Sequence, residues 1–533
     1  RALVSLLPTQ HDANLLYEHT NAWALEICLP YPDLPSRDEQ LCPFDLNTIT
    51  QSELTVIGRT LLGLALYMQQ LSPDFDINRL QMADPGSLVH SYIEAVNSHV
   101  LSDEAIMCSL DGLDCMLLLG MIHINDANIQ RAWMTFRRAL DASRLMGLYK
   151  SYAKSKRDSM SKEMITHRRM WLATVMGSCY TSLLLGLECG IGSQPFGPDD
   201  GWNDPAASVT ANFQRKVCSI VDKLIQRNLF KLDEGYWHAQ ALDEALDELY
   251  NSMPSTWQAI PVLTRDRSIE SARRFDDILH QLWFFQIRAF TYLPYIFRAA
   301  TEKRLEYCKS ACQESSREVL RRYLVTRQVE NTQLHCRVID FAAFVSALTL
   351  LLLFIQSSNS VPAAANPRGN SDDMVLIKEV VQSMKTLAES NKRETISRQG
   401  VDVLSALSTF AYPSPATPRK LRLTVPYFGT IAVIMDSKPA SEMQPASVLS
   451  TSLTTENAIA EQPVERFSEQ GGPMPHERFG GDGIASRSVN LTFANEPFFQ
   501  ADSFQIPPSW NFTDAETLVF DGIWDSDIMD WNI

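Results

Sequence analysis

A few clusters in the sequence have the residue types and spacing that chemistry needs. Cys308 and Cys312 stand one helical turn apart in YCKSACQESSREVLRRYL, as two thiolate ligands of a metal would. No His lies near them in sequence, so two half-buried thiols are expected rather than a zinc site. Asp276 and Asp277 open DDILH, and Asp372 and Asp373 open DDMVL. Paired aspartates on a helix are how all-helical terpene cyclases chelate magnesium. Here His280 occupies the position of the third acid and no second metal motif follows, so exposed helical acids are expected. His123 and Asp126 in HIND share turn spacing, and a polar loop between helices accounts for them. No P-loop, dinucleotide fingerprint or nucleophile elbow occurs, and no catalytic, cofactor-binding or metal-binding residue is assigned.

A basic stretch, Arg131 to Arg169, holds 11 Lys or Arg against Asp141, Asp158 and Glu163, and such a density could meet phosphate. Arg137, Arg138 and Arg144, however, fall opposite the apolar face of an amphipathic helix. The expectation is a solvated face, or one that docks the chain's own acidic tail. A net charge of -16 over 533 residues argues against the chain as a whole being a nucleic-acid binder.

That charge is concentrated at one end. Residues 437–533 carry 15 acids against Lys438, Arg466, Arg478 and Arg487. The last 46 residues, 488–533, hold nine large aromatics, Phe493, Phe498, Phe499, Phe504, Trp510, Phe512, Phe520, Trp524 and Trp531. Acids interleaved with aromatics resist burial, because an unpaired carboxylate is costly to desolvate. The composition is that of acidic activation segments, whose hydrated aromatics are taken up by a groove on a coactivator. Phe504, Trp510, Phe512, Phe520, Trp524 and Trp531 are the expected coactivator contacts.

The elements that would position these groups are helical. Apolar periodicity predicts an all-α array of antiparallel helix pairs over residues 1–436. Helices are expected at 52–71 with a Ser52 cap, 103–122, 127–145, 164–186, 206–227, 236–252, 270–299, 304–326, 333–356, 372–392 and 397–411. RLTVPYFGTIAVIMD, 422–436, predicts a short β-ribbon. From 437 to 487 Pro, Ser, Gly and Glu predict a disordered linker, and 488–533 the disordered acidic–aromatic segment. FAAFVSALTLLLLFI, 341–355, is shorter than the roughly 20 residues a membrane helix needs, so a core helix and no membrane are expected. Ten scattered cysteines with no C-x-x-C pair suit a reducing compartment, which makes the sequons at Asn490 and Asn511 chance matches. The chain opens on Arg1 without a signal peptide, and a truncated or processed piece is expected.

Three stretches, in order, carry a family resemblance. RAWMTFRRALDASRLMGLY, 131–149, and HRRMWLATVMGSCYTSLLLGLECGI, 167–191, resemble the middle homology region of fungal zinc-cluster transcription factors. Arg168, Arg169, Trp171, Ser182 and Gly186 match its pattern, while Leu172, Ser178 and Leu187-Glu188 depart from it. CRVIDFAAFVSALTLLL, 336–352, is similar to the C-terminal part of one subgroup. The resemblance implies a nuclear transcriptional regulator whose DNA reader holds zinc in six cysteines, absent from these residues. It also implies a small-molecule inducer and a homodimer as possible partners. DNA would be met only through a missing N-terminal domain or a partner. Residues 1–436 would be the regulatory domain and Trp133, Trp171, Gly147 and Gly186 would be packing positions. The alternatives are an interaction protein without a DNA reader that bridges or titrates such factors, and an all-α cyclase.

Overall fold

The computed structural model describes residues 1–20, 45–71, 75–153, 161–192, 195–197, 209–264, 268–296, 298–300, 302–328, 336–360, 367–390, 394–411, 420–425, 429–436, 488–493 and 516–519. Among these the chain is predominantly helical. Helices of nine residues or more are α1 Gln10–Glu18, α2 Leu54–Gln69, α3 Pro85–His99, α4 Leu110–Asn125, α5 Ile129–Leu145, α6 Lys162–Leu185 and α7 Val209–Arg227. They continue with α8 Leu232–Ser252, α9 Ile269–Tyr292, α10 Glu306–Gln328, α11 Arg337–Ser360, α12 Pro367–Ser390 and α13 Thr395–Ala411. Consecutive helices pack on one another, α4 on α5, α5 on α6 and α9 on α10, with α11 against α10, α12, α13 and α4.

Several boundaries differ from the periodicity, each for a local reason. The helix expected over 103–122 is broken. A single turn, Glu104–Met107, stops at Cys108, and Ser109 restarts the chain by accepting the Gly112 N–H at 3.1 Å. Gly112 is required there, because a Cβ would stand 2.0 Å from the Ile106 carbonyl oxygen. The helix expected to reach 299 ends at Tyr292, since Pro294 lies two residues on and has no N–H to continue the ladder. Ser52 does not cap α2: Glu53 holds that position, and Ser52 donates instead to Thr48 O at 3.0 Å. Helices α1 and α3 were not anticipated, although Asp84 before Pro85 is a cap-and-N1 signature and Val89, Tyr92 and Val96 share a face.

Most of α11 is buried. The helix is long and apolar enough to cross a bilayer by composition, and it forms the centre of the helical core. At its start the Arg327 guanidinium on α10 donates to Asp340 at 2.6 Å, both side chains buried. Arg337 reaches Asp126 at 3.2 Å, and Asp126 also accepts from Gln69 at 2.8 Å, which ties α2, the α4–α5 turn and α11 together.

The strands form one small sheet in the order β3-β2-β1-β4, with β1 Lys420–Val425, β2 Gly429–Asp436, β3 Ser488–Phe493 and β4 Glu516–Val519. β1 and β2 are antiparallel, with Lys420 opposite Ile434 and Val425 opposite Gly429. β3 adds antiparallel to β2 and lies along α11, and β4 adds parallel to β1. Two pieces of the segment expected to lack regular structure are therefore strands. The open edges of a two-stranded ribbon offer rows of unpaired N–H and C=O groups to any extended segment. The remainder of 437–533 lies outside the described residues.

Candidate functional site

Helical spacing on several helices converges on one cleft. Leu117, Met121, Ile124 and Asn125 line it from α4, and Phe136 from α5. Ala173, Met176, Gly177 and Tyr180 come from α6 at i, i+3, i+4 and i+7. From α9 come Asp276, Leu279, His280, Trp283 and Gln286, again one face, with Gln214 from α7 and Val338, Ile339 and Ala342 from α11. The cleft has a volume of about 310 Å³ and its walls are mostly apolar. Its rim at Leu117, Met121, Ala173, Met176 and Leu279 is half-buried, while the floor at Phe136, Gln214, His280, Trp283 and Gln286 is buried.

Phe136 shapes one wall. A Cβ on Gly120 of α4 would come within 2.5 Å of its ring, and one on Gly177 of α6 within 2.1 Å. The ring therefore sits in the space two missing side chains leave, which lets α4, α5 and α6 approach. Opposite, Tyr180 meets Trp283 edge to face at 5.5 Å.

The polar groups of the floor are incompletely paired. His280 Nδ1 lies 2.7 Å from the Asp276 carbonyl, and Nε2 lies 2.6 Å from the Gln214 amide nitrogen. A carbonyl can only accept, so Nδ1 carries the proton and Nε2 accepts from Gln214. Gln214 Oε1 is then left without a partner, as are Gln286 Nε2, Trp283 Nε1 and Asn125 Nδ2. Four buried polar atoms without a partner thus belong to side chains lining this one cleft.

Asp277, half-buried beside Asp276, has its carboxyl raised to about 6, first by burial and then by Asp276. A raised folded-state value stabilises the fold below the ordinary aspartate range and loses that contribution as pH rises through about 6. The melting temperature of Asp277→Asn relative to the parent is expected to increase from pH 4 to pH 7 and level off above. A flat difference across that range would contradict the assignment.

The other sequence-level candidates are placed as follows. Asp276 and His280 do line the cleft, but as part of a hydrogen-bonded wall. Asp372 is exposed, whereas Asp373 receives a two-point bond from Arg317, 2.6 and 2.9 Å, that fastens α12 to α10. Among the described residues no group of three or more His, Cys, Asp or Glu is arranged to hold a metal. Cys308 and Cys312 are fully buried rather than half-buried. Burial pushes their thiols up to about 11 and about 12, so both stay protonated at neutral pH. The eight cysteines among the described residues are free. His123 is buried in the last turn of α4, not in a loop.

The basic stretch is not simply a solvated face. Arg137 donates to Cys189 O at 3.0 Å, Arg138 to Leu101 O at 2.8 Å, and Arg144 to Gly190 O. These guanidiniums satisfy loop carbonyls that no helix or strand takes up. The same loop is held from α6: Ser178, which departs from the family pattern, donates to Cys189 O at 2.9 Å, and Ser182 to Glu188 O at 3.1 Å. Ser182 also accepts from Trp133 at 3.0 Å, and Trp171 donates to Pro195 O at 2.6 Å. Gly186 ends α6 at φ 68, a left-handed cap that turns the chain back onto α5. The motif residues thus share a structural task, fixing residues 187–190 and Pro195 across α5 and α6.

The six tail aromatics named as coactivator contacts, Phe504 to Trp531, lie outside the described residues. Sequence reasoning missed Gln214, Trp283, Gln286 and Asn125. The signal available was a polar residue on an apolar face, as in LWFFQIRAF, where Gln286 stands among aromatics and Ile287.

The chain is similar to several fungal proteins. It is 27% identical over 402 residues to the transcription factor sdnS of Sordaria araneosa, covering 71% of this chain and 51% of that one. It is 24% identical over 482 residues to the dehydrocurvularin biosynthesis regulator of Alternaria cinerariae, covering 84% and 62%. The corresponding regulator of Aspergillus terreus is 26% identical over 498 residues, covering 84% and 67%. The chain thus spans about half to two thirds of the length of these curated relatives. No protein-family model matches it, and no solved structure matches it.

Proposed function

We propose, from the premise that this chain belongs with those fungal transcription factors, that it is the regulatory and activating part of a transcriptional regulator. The observation that carries this reading is the similarity to named fungal transcription factors and regulators over 71% to 84% of the chain. The composition of 488–533 supports it. In this reading residues 1–436 are the regulatory domain, 437–487 the linker and 488–533 the activating segment. The chain has no catalytic step to perform and acts in the nucleus. DNA is reached through a zinc-holding reader or a partner, since no C-x-x-C pair occurs in these residues. A coactivator takes the tail aromatics into an apolar groove. Homodimerisation is part of the same proposal.

Residues 488–533 fused to an unrelated DNA-binding domain are expected to activate a reporter. Replacing both Trp524 and Trp531 by Ala is expected to remove most of that activity. Full activity after the double change would sink the role given to the aromatics, and no activity from the parent fusion would sink the activating role of the tail.

A further inference from the structure

We infer that the cleft between α4, α6, α9 and α11 is a binding site for a neutral, mainly apolar small molecule of about two fused rings that carries a hydrogen-bonding group.

Size comes first. A dry cavity of roughly 150 Å³ accepts one benzene, so about 310 Å³ suits a bicyclic skeleton. Ligand clefts begin at about this volume. The half-buried rim gives a way in, and the walls from Leu117, Met121, Met176 and Leu279 supply apolar surface.

Polarity comes second. Trp283 Nε1 and Gln286 Nε2 can only donate, and both are unpartnered on residues only 6% and 3% exposed. Gln214 Oε1 can only accept, because its amide nitrogen is committed to His280. A hydroxyl, which both donates and accepts, answers either kind of group. These atoms are closed off in the empty cleft, and rotation of Trp283 or Gln286 would bring them to a bound hydroxyl and complete the pairs.

Charge comes third. No Lys or Arg lines the cleft, and its one acid is Asp276. An anion would meet a carboxylate and no cation in a poorly solvated space, which is unfavourable.

The inference concerns binding alone and stands apart from the transcriptional reading, so its assay is calorimetric. The full chain would be titrated with naphthalene, 1-naphthol and 1-naphthoate. Expected are binding of naphthalene, binding of 1-naphthol roughly 2- to 10-fold tighter from one net hydrogen bond, and no binding of 1-naphthoate. Gln286→Leu, close in volume, is expected to reduce the preference for 1-naphthol over naphthalene. Ala173→Phe at the half-buried rim is expected to weaken both, with an unchanged circular dichroism spectrum showing that the fold survives. Failure of both neutral probes to bind the folded parent overturns the inference. So does binding that neither variant alters, or 1-naphthoate binding as tightly as 1-naphthol.

Discussion

Asp340→Ala is expected to cost about 3–5 kcal/mol of folding stability, the range for removing one member of a buried ion pair. The pair is Arg327 Nη2 to Asp340 Oδ1 at 2.6 Å, with side chains only 4% and 1% exposed. Burial opposes the charge on Arg327, but Asp340 and Tyr323 together more than offset it and hold the guanidinium firmly protonated. Burial likewise pushes the Asp340 carboxyl up against the pull of Arg327. Removing the carboxylate would take from the buried Arg327 cation its short-range partner, leaving the buried Glu394 carboxylate as a further acid that acts on it. Arg327 also lies 5.4 Å from the Tyr323 ring centroid, a contact too weak to replace a carboxylate. The double change Arg327→Met with Asp340→Leu is expected to recover most of the loss, since apolar residues of similar size commonly match a buried pair. Urea unfolding followed by circular dichroism measures both. A single substitution costing under about 1 kcal/mol, or a double costing as much as the single, would show that the pair is not what holds α10 to α11.

Gly177→Ala is expected to destabilise by about 1–3 kcal/mol, the range for forcing one extra methyl into a packed core. Its Cβ would meet Phe136 at 2.1 Å, against a ring already confined by Gly120 on the other side. The cleft that Phe136 lines offers free volume beside the ring, so the ring is expected to turn into it. Phe136→Leu in the same chain opens that space. The double variant is therefore expected to be more stable than the sum of the two single losses predicts. Strict additivity would place the clash elsewhere. The same single variant should also bind naphthalene less well, because the displaced ring occupies the ligand's volume.

Much of the helical array was readable before any coordinates. Ile129, Trp133, Phe136 and Leu140 on α5 repeat at 3.6-residue spacing, and Gly147 and Gly186 at helix ends take positive φ of 73 and 68. These signals are local: each depends on a few neighbouring residues and on what a backbone without Cβ can do. The resemblance carried by Arg168, Trp171, Ser182 and Gly186 was likewise written in a short span. The broken helix at Cys108 was not foreseen, because the deciding contact joins Gly112 to the Ile106 carbonyl in a doubled-back turn.

The tertiary structure alone decided the rest. Periodicity shows that Arg137 and Arg144 avoid the apolar face, yet says nothing of the carbonyls at Cys189 and Gly190 that they satisfy. It marks Cys308 and Cys312 as neighbours without revealing that α9 covers them. Gln214 and His280 are 66 positions apart, and their meeting is what leaves one amide oxygen unpaired in the floor of the cleft. A sequence specifies the face each helix buries because that face is set by its own repeat. Which faces meet, and what space stays between them, depends on side chains brought together from distant segments, and the cleft is a property of that meeting.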